Sequence, residues 1–371
     1  MSEAAVDRLL AVLIVALLAT GVLTWRAGSE DTYWLYLLHG ILAGVLLAAS
    51  VLKLRRSLPR ALAKRRWRQL LVSAPLALAT FLSLAIGFAW VAGGQFVQLG
   101  PWTLLGWHAT VAWVIVGLVA VHLLMSGRWR VLKPRLRRGA QRPAAAAERP
   151  PQAAERPAQA AAGHPAPVQA SAGQPARRRT LSRRTLVAGG LLAFAGLVTW
   201  GIAEVLDRLS AAPRRFTGSR WLPKGGVPPP TTFFGEGTPA IDQAAWRLRV
   251  DGAVDRPLEL SLDELRALGL HDWPAVLDCT GGWAMETSWQ GVPLSTVLDA
   301  AGARPSASTI NVRSVTGWGA SMSVDEARGT LLATGVAGAE LPAPNGAPCR
   351  LVVPNRRGLD WVKWVAEIAV S

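Results

Sequence analysis

Along the chain, long apolar runs broken by clusters of Lys and Arg give way, after a Pro- and Ala-rich stretch, to short apolar segments spaced by Gly, Pro and Asp. Five runs approach the ~20 residues an α-helix needs to cross a bilayer: Leu9–Trp25, Tyr33–Leu52, Leu70–Ala92, Leu104–Met125 and Leu186–Val205. The second run follows the first closely, with no A-x-A-like cleavage site between them, so the first reads as a helix and not as a signal peptide. Lys53, Arg55, Arg56, Arg60, Lys64, Arg65, Arg66 and Arg68 separate runs two and three, and Arg128, Arg130, Lys133, Arg135, Arg137 and Arg138 follow run four. Residues 27–32 and 93–103 carry no Lys or Arg. The positive-inside rule puts the basic loops and the N-terminus in the cytoplasm, and a fifth span delivers the C-terminal part outside.

Gly139 to Pro175 is rich in Ala, Pro, Gln, Arg and Glu without periodicity, the composition of a flexible cytoplasmic linker. Ser182-Arg183-Arg184-Thr185-Leu186-Val187 then enters the fifth run and resembles a twin-arginine export signal set inside the chain. The plainer alternative is a positive-inside cluster. From Trp246 onward the pattern turns β-rich, with Leu260 to Leu268 reading as a short helix. The expected organisation is a four-helix transmembrane unit at 1–127, a basic linker at 128–184, a fifth, tethering helix at 185–206 and an extracytoplasmic domain at 207–371.

Composition sharpens this picture. Of 371 residues 51% are hydrophobic, yet the formal charge is +16. Apolar spans alternating with basic clusters give that combination, whereas an ordinary soluble domain or a uniformly basic nucleic-acid binder does not. Seventeen Trp against two Tyr fit interfacial aromatics.

Three of the five histidines, His39, His108 and His122, fall inside expected spans, where an ionisable side chain is costly and points to function. His39 and His108 lie near the outer ends of spans two and four, which run the same way. They share a depth, as two axial ligands of one b-type haem must. His122 is fourteen residues beyond His108, on nearly the same face and roughly 21 Å further along the axis. That spacing is similar to the stacked haem sites of the cytochrome b of quinol-oxidising complexes, but fourteen residues beyond His39 stands Lys53. One outer haem on His39 and His108 is the first reading, with His122 unpaired, at a quinone, or at a less regular haem site. His39 with His122 is the alternative pair, and histidines hydrogen-bonded between helices with no cofactor is the plain one. His164 falls in the linker, and His271 reads as a surface or pocket-wall residue.

Two cysteines, Cys279 and Cys349, give neither a zinc cage nor a disulfide framework. A lone cysteine is usually a small buried hydrophobe, but Cys279 sits in Asp278-Cys279-Thr280-Gly281-Gly282-Trp283, followed by Trp289-Gln290-Gly291-Val292-Pro293-Leu294. Asn345-Gly346-Ala347-Pro348-Cys349-Arg350-Leu351-Val352-Val353-Pro354, Gly358 and Trp361-Val362-Lys363-Trp364 close the chain. This ordered set, over roughly Thr231 to Ser371, resembles the sulfite oxidase superfamily of molybdopterin enzymes, and within it the catalytic subunits of periplasmic protein-methionine-sulfoxide reductases.

The resemblance implies an α+β domain in which molybdenum is held by the dithiolene of molybdopterin and one protein thiolate, Cys279. Cys349 matches an aliphatic position. Cofactor contacts carried over by similarity are Thr231, Phe234, Gly235, Ser314, Asn345, Arg350, Trp361, Val362 and Lys363; Thr231, Phe234 and Gly235 depart from the family's residue types. Sulfite- and nitrate-active relatives place arginines just after the cysteine. Here Thr280-Gly281-Gly282 follows, which favours a sulfoxide or N-oxide, with Arg313 as the alternative source of charge. No Ser/His/Asp triad, acid/base dyad or phosphate loop is recognisable, and oxo transfer at a metal cofactor requires none.

The expected protein is therefore a multi-pass cytoplasmic (inner) membrane oxidoreductase. Electrons would pass between a quinol or other membrane donor, haem b and molybdenum, for oxo transfer to a small or protein-bound substrate outside. Sulfite-dehydrogenase-like oxidation feeding electrons inward is the alternative, and a non-catalytic electron-transfer module is the rival from another class.

Overall fold

The computed structural model describes residues 2–65, 67–93, 96–100, 102–125, 183–210, 212, 214–231 and 237–371. Five helices in it are long and apolar enough to cross a membrane: α1 (Glu3–Leu23), α2 (Tyr33–Ala63), α3 (Trp67–Ala92), α4 (Leu104–Met125) and α5 (Arg183–Arg208). Four of the expected spans fall within them, and the first, Leu9–Trp25, runs two residues past the end of α1. The expected linker lies outside the described residues apart from Arg183 and Arg184, which open α5; Ser182 of the twin-arginine-like motif lies outside as well.

Helix α2 continues eleven residues beyond the expected Leu52, because Lys53 to Ala63 is built mainly of good helix formers and its charges find partners. Lys53 pairs with Asp7 and Arg60 with Glu3, both on α1. The helices α1 and α2, α2 and α5, and α3 and α4 pack side by side, and α3 also meets α2 and α5. The fifth helix is thus a packed member of the group, where a separate tether was expected. Small residues make the crossing close: a Cβ on Gly44 would stand 2.8 Å from the Cα of Gly196, the kind of contact that drives helix association where lipid removes the hydrophobic force.

The C-terminal domain holds two sheets. Helices α6 (Leu262–Ala267), α7 (Leu294–Ala301) and α8 (Val324–Arg328) accompany them, so the fold is mixed α and β. Strands β1 (Gln98–Leu99) and β2 (Trp102–Thr103) form a short ribbon before α4. In the domain, β3 (Arg220–Trp221), β6 (His271–Cys279), β7 (Trp283–Pro293), β10 (Leu331–Val336), β11 (Ala339–Glu340) and β12 (Arg350–Val352) form the first sheet. Strands β4 (Leu248–Gly252), β5 (Leu258–Leu260), β8 (Thr309–Ser314), β9 (Gly319–Ser323) and β13 (Val365–Val370) form the second. Leu248, Val250, Trp289, Val292, Leu298, Leu332 and Ile368 are among the fully buried residues of one continuous core.

Two features position the site. The longest hairpin, β6–β7, runs in register from His271↔Gly291 to Cys279↔Trp283, so Cys279 is the last residue before its tip. The three-residue loop closes with Gly282 N–H on Cys279 O at 2.9 Å and places Gly282 at φ 98°, a left-handed position that favours glycine. This tip rests on the helices: a Cβ on Gly282 would stand 2.7 Å from Trp90 Cζ2 of α3.

Candidate active site at the cysteine turn

Cys279 is buried, 7% exposed, on the wall of a cavity of ≈ 90 Å³ that also touches Thr231, Thr280, Trp318, Arg350, Trp361 and Lys363. Burial pushes its thiol up, against the N–H of Gly281, the Thr231 hydroxyl and the Arg357 cation, which favour the thiolate. Cys349 is fully buried in the core and its thiol is pushed up by burial alone; it packs as a hydrophobe, as expected.

Arg350 is the most telling neighbour. Its guanidinium is buried, lies 5.3 Å from the ring centre of Trp289 and 5.8 Å from that of Trp361, and donates from Nη1 to Asn345 O at 2.9 Å. Nε is buried and has no hydrogen-bond partner, and among the described residues no carboxylate comes within ion-pair distance. Burial holds its pKa down at about 10, opposed only by the charge of Cys279. A buried cation without a counter-ion is costly, so this arrangement calls for an anion in the cavity. Asn345 acts behind Arg350, its own amide donating to Pro228 O at 2.8 Å. Lys363 donates from Nζ to Thr231 O at 2.6 Å and Pro344 O at 3.0 Å.

The residues fit a molybdopterin. Among the described residues no group of three or more His, Cys, Asp or Glu gathers, so a metal at Cys279 would draw on donors that a cofactor brings. Arg350 and Lys363 would supply cations for its anionic groups. The enclosed volume is smaller than the ~300 Å³ of an ordinary ligand cleft; residues 232–236, which follow Thr231 on the rim, lie outside the described residues, and with them Phe234 and Gly235.

Of the sequence-predicted contacts, Thr231, Arg350, Trp361 and Lys363 line the cavity with Cys279; Ser314, Asn345 and Val362 do not. Ser314 is buried at the end of β8, where its hydroxyl accepts the N–H of Thr316 at 3.2 Å. Val362 is buried, and its carbonyl accepts Leu351 N–H at 2.8 Å. Arg313 is exposed and 3.9 Å from Glu367, away from the cavity.

Sequence reasoning missed a charged seam behind the turn. Asp278, 1% exposed, accepts from Thr217 Oγ1 and Ser219 Oγ, each at 2.6 Å, and pairs with Arg215 and with Arg357 Nε at 3.3 Å. Arg357 also donates to Cys279 O at 2.9 Å and to Thr24 O of the helical part at 3.2 Å. The dipeptide Arg356-Arg357 just before Gly358 was the available signal, since paired cations beside a buried strand need carboxylates.

A second cavity, of ≈ 1250 Å³, occupies the helices and reaches the turn, with Thr280, Gly281 and Arg357 on its wall. His39 and His108 line it; His122 does not. The two rings lie 6.3 Å apart between centroids at an interplanar angle of 81°. His39 Nδ1 is 2.8 Å from Thr20 Oγ1, and His108 Nδ1 is 2.9 Å from Ser83 O, so Nε2 is the nitrogen left for a ligand on each ring.

Residues 235–371 match the family model described as oxidoreductase molybdopterin binding domain. A protein-methionine-sulfoxide reductase catalytic subunit of Xanthomonas campestris is 37% identical over 141 residues, covering 33% of this chain and 44% of that protein. One from Gluconobacter oxydans is 29% identical over 218 residues, covering 51% and 69%. An uncharacterized oxidoreductase of Bacillus subtilis is 29% identical, covering 34% and 66%. The sulfane dehydrogenase SoxCD of Paracoccus pantotrophus is a solved structure at 26% identity and TM-score 0.35, covering 36% of this chain and 40% of that one. The chain thus spans less than half the length of the Xanthomonas relative. Residues 235–371, with Cys279 and Arg350 on one cavity wall, thus form a domain that matches the molybdopterin-binding oxidoreductases.

Proposed function

We propose that the chain is a membrane-anchored reductase that removes the oxygen atom of a sulfoxide-type substrate on the outer side of the cytoplasmic membrane. In this reading Cys279 is the molybdenum ligand, Arg350 and Lys363 hold the anionic groups of molybdopterin, and His39 and His108 hold a haem b. Molybdopterin at Cys279 would supply two-electron oxo transfer, and haem between the imidazoles would supply one-electron exchange with a quinol or other membrane donor. Per sulfoxide, the net change consumes two electrons and two protons and releases a thioether and water.

The observation that carries the proposal is the shared wall of Cys279 and Arg350, one thiol beside a buried cation that has no carboxylate partner among the described residues. The substrate class follows from charge. Among the described residues the cations on that wall are Arg350 and Lys363, both committed to the cofactor in this reading, and Arg313 pairs with Glu367 away from it. No described cation on the wall is then set aside for an anionic substrate, which favours a neutral sulfoxide over sulfite. The names of the Xanthomonas and Gluconobacter relatives agree. For the haem, support comes from the facing pair His39 and His108, both Nδ1 atoms engaged, in a cavity of ≈ 1250 Å³. His122 lies near the far end of α4 and off that cavity, which favours the pair His39–His108 over His39–His122.

The test is anaerobic addition of methionine sulfoxide to chemically reduced, purified protein, followed by haem absorbance. Reoxidation that is lost in Cys279→Ser supports the reading. A reduced band that persists rejects sulfoxide reduction, and reduction of the oxidised protein by sulfite would establish the oxidative alternative.

A further inference from the structure

The helices reach the sulfur of Cys279 through a single glycine. Gly281 donates its N–H to Cys279 Sγ at 3.3 Å, and its carbonyl accepts from Thr103 Oγ1 at 2.6 Å. Thr103 is buried, 9% exposed, and immediately precedes α4, where its hydroxyl also accepts Gly106 N–H at 3.1 Å. One hydroxyl thus caps the helix and ties down the turn. Gly281 has no side chain to fix its backbone, and glycine is the residue with the most freedom to rotate. Of the hydrogen bonds that Gly281 makes here, one leads to the metal-binding sulfur and the other to the membrane helices. Arg357, from Cys279 O to Thr24 O, and Trp90, against Gly282, keep the rest of the turn on the helices. Loss of the Thr103 contact alone therefore leaves the domain seated.

A thiolate that accepts an N–H hydrogen bond donates less electron density to its metal, and such partners tune reduction potentials. We propose that Thr103 is a positioning residue for the molybdenum site: by holding the Gly281 carbonyl it keeps the Gly281 N–H on the Cys279 sulfur. A residue of the membrane part thereby sets the donor strength of a ligand in the C-terminal domain. The inference rests on Cys279 being the molybdenum ligand.

Full-length, molybdenum-loaded protein is compared as wild type, Thr103→Val and Thr103→Ser by potentiometric titration of the Mo(V) paramagnetic resonance signal. Loss of the N–H···S contact favours the oxidised metal, so valine moves the Mo(VI)/Mo(V) midpoint to more negative potential and changes the g values. A tenfold change in that one-electron equilibrium is 59 mV. Serine, which keeps the hydroxyl, restores both. In cofactor-free protein the Gly281 amide exchanges faster in the valine variant, about tenfold, and at the wild-type rate in the serine variant. A midpoint and g values unmoved by valine, or unchanged Gly281 exchange, overturn the proposal. Cys279→Ser protein that binds molybdenum with an unaltered signal overturns the ligand assignment beneath it, a result distinct from either.

Discussion

Removal of the carboxylate of Asp278 separates the stability of the seam from that of the domain core. In Asp278→Ala the hydroxyls of Thr217 and Ser219 each lose an acceptor at 2.6 Å, and Arg357, 2% exposed, loses its carboxylate. Breaking a buried ion pair by removing one partner costs about 3–5 kcal/mol, because the other charge stays buried. For a domain of 150–250 residues each kcal/mol moves the melting midpoint by about 2–4 °C, so a fall on the order of 10 °C is expected. Asp278→Asn keeps the volume and one acceptor oxygen and falls by less. The control is Asp255→Ala. Asp255 pairs with Arg304 at 3.2 Å while both side chains are more than half exposed, and such pairs contribute at most about 1 kcal/mol. The assay is thermal unfolding in detergent followed by tryptophan fluorescence, with limited proteolysis between α5 and β3 as a local readout. If Asp278→Ala melts within about 2 °C of Asp255→Ala, the seam contributes little and the account of how the turn is held is wrong.

Three further outcomes are expected. Replacing either His39 or His108 by alanine abolishes the reduced b-type absorbance, and His122→Ala preserves it, as a spectrum of each dithionite-reduced variant shows. Arg350→Met leaves the domain folded but weakens cofactor retention about 10- to 100-fold, read as molybdenum per protein after dialysis, because a hydrogen bond to a charged group is worth about 1.5–3 kcal/mol. The third concerns pH. Burial pushes the Asp360 carboxyl above its ordinary range, against the opposing pull of Arg356 and Arg26. A raised acid binds its proton more tightly when folded, so its contribution is fully present below the unfolded value and fades as pH rises through the folded one. Wild type should therefore gain on Asp360→Asn as pH is lowered from neutrality, measured by denaturant midpoints at stepped pH. A difference that does not change with pH removes Asp360 from the account.

The sequence discloses the five long apolar helices because run length and apolar composition alone decide whether a helix is able to cross a bilayer. It discloses Cys279 because glycines beside a lone cysteine mark a tight turn. It understates α5, since packing of Gly196 on Gly44 depends on which faces meet and not on composition. The seam was the least legible part. Thr24 and Arg357 are 333 residues apart, and Thr103 and Gly281 are 178 apart. Neither pair leaves a local pattern, because a hydrogen bond to a main-chain carbonyl asks nothing of the acceptor's side chain. Arg350 shows the reverse: its motif flagged it, while its burial among Trp289, Trp361 and Asn345 could come only from three dimensions.

The seam also explains why the domain is seated on this end of the helices. Helix α1 ends at Leu23 and α3 at Ala92, so their C-termini face the domain. The last carbonyls of a helix lack intrahelical donors and carry the negative end of its dipole. Arg220 donates to Trp90 O at 2.6 Å and Val91 O at 3.0 Å, and Arg357 donates to Thr24 O at 3.2 Å. Each arginine is held in turn by a buried carboxylate, Asp207 at 2.7 Å from Arg220 and Asp278 at 3.3 Å from Arg357. Helix α4 begins at this same end, and there the contact reverses sense: the cap residue Thr103 donates to a carbonyl of the domain. Cations from the domain thus meet helix C-termini, and a domain acceptor meets a helix N-terminus. The N-termini of α2 and α4 at this end present amides, which bind anions and repel cations, so they could not hold Arg220 and Arg357 in this way. The direction of these helices therefore helps to hold the cysteine turn against the cavity that His39 and His108 line.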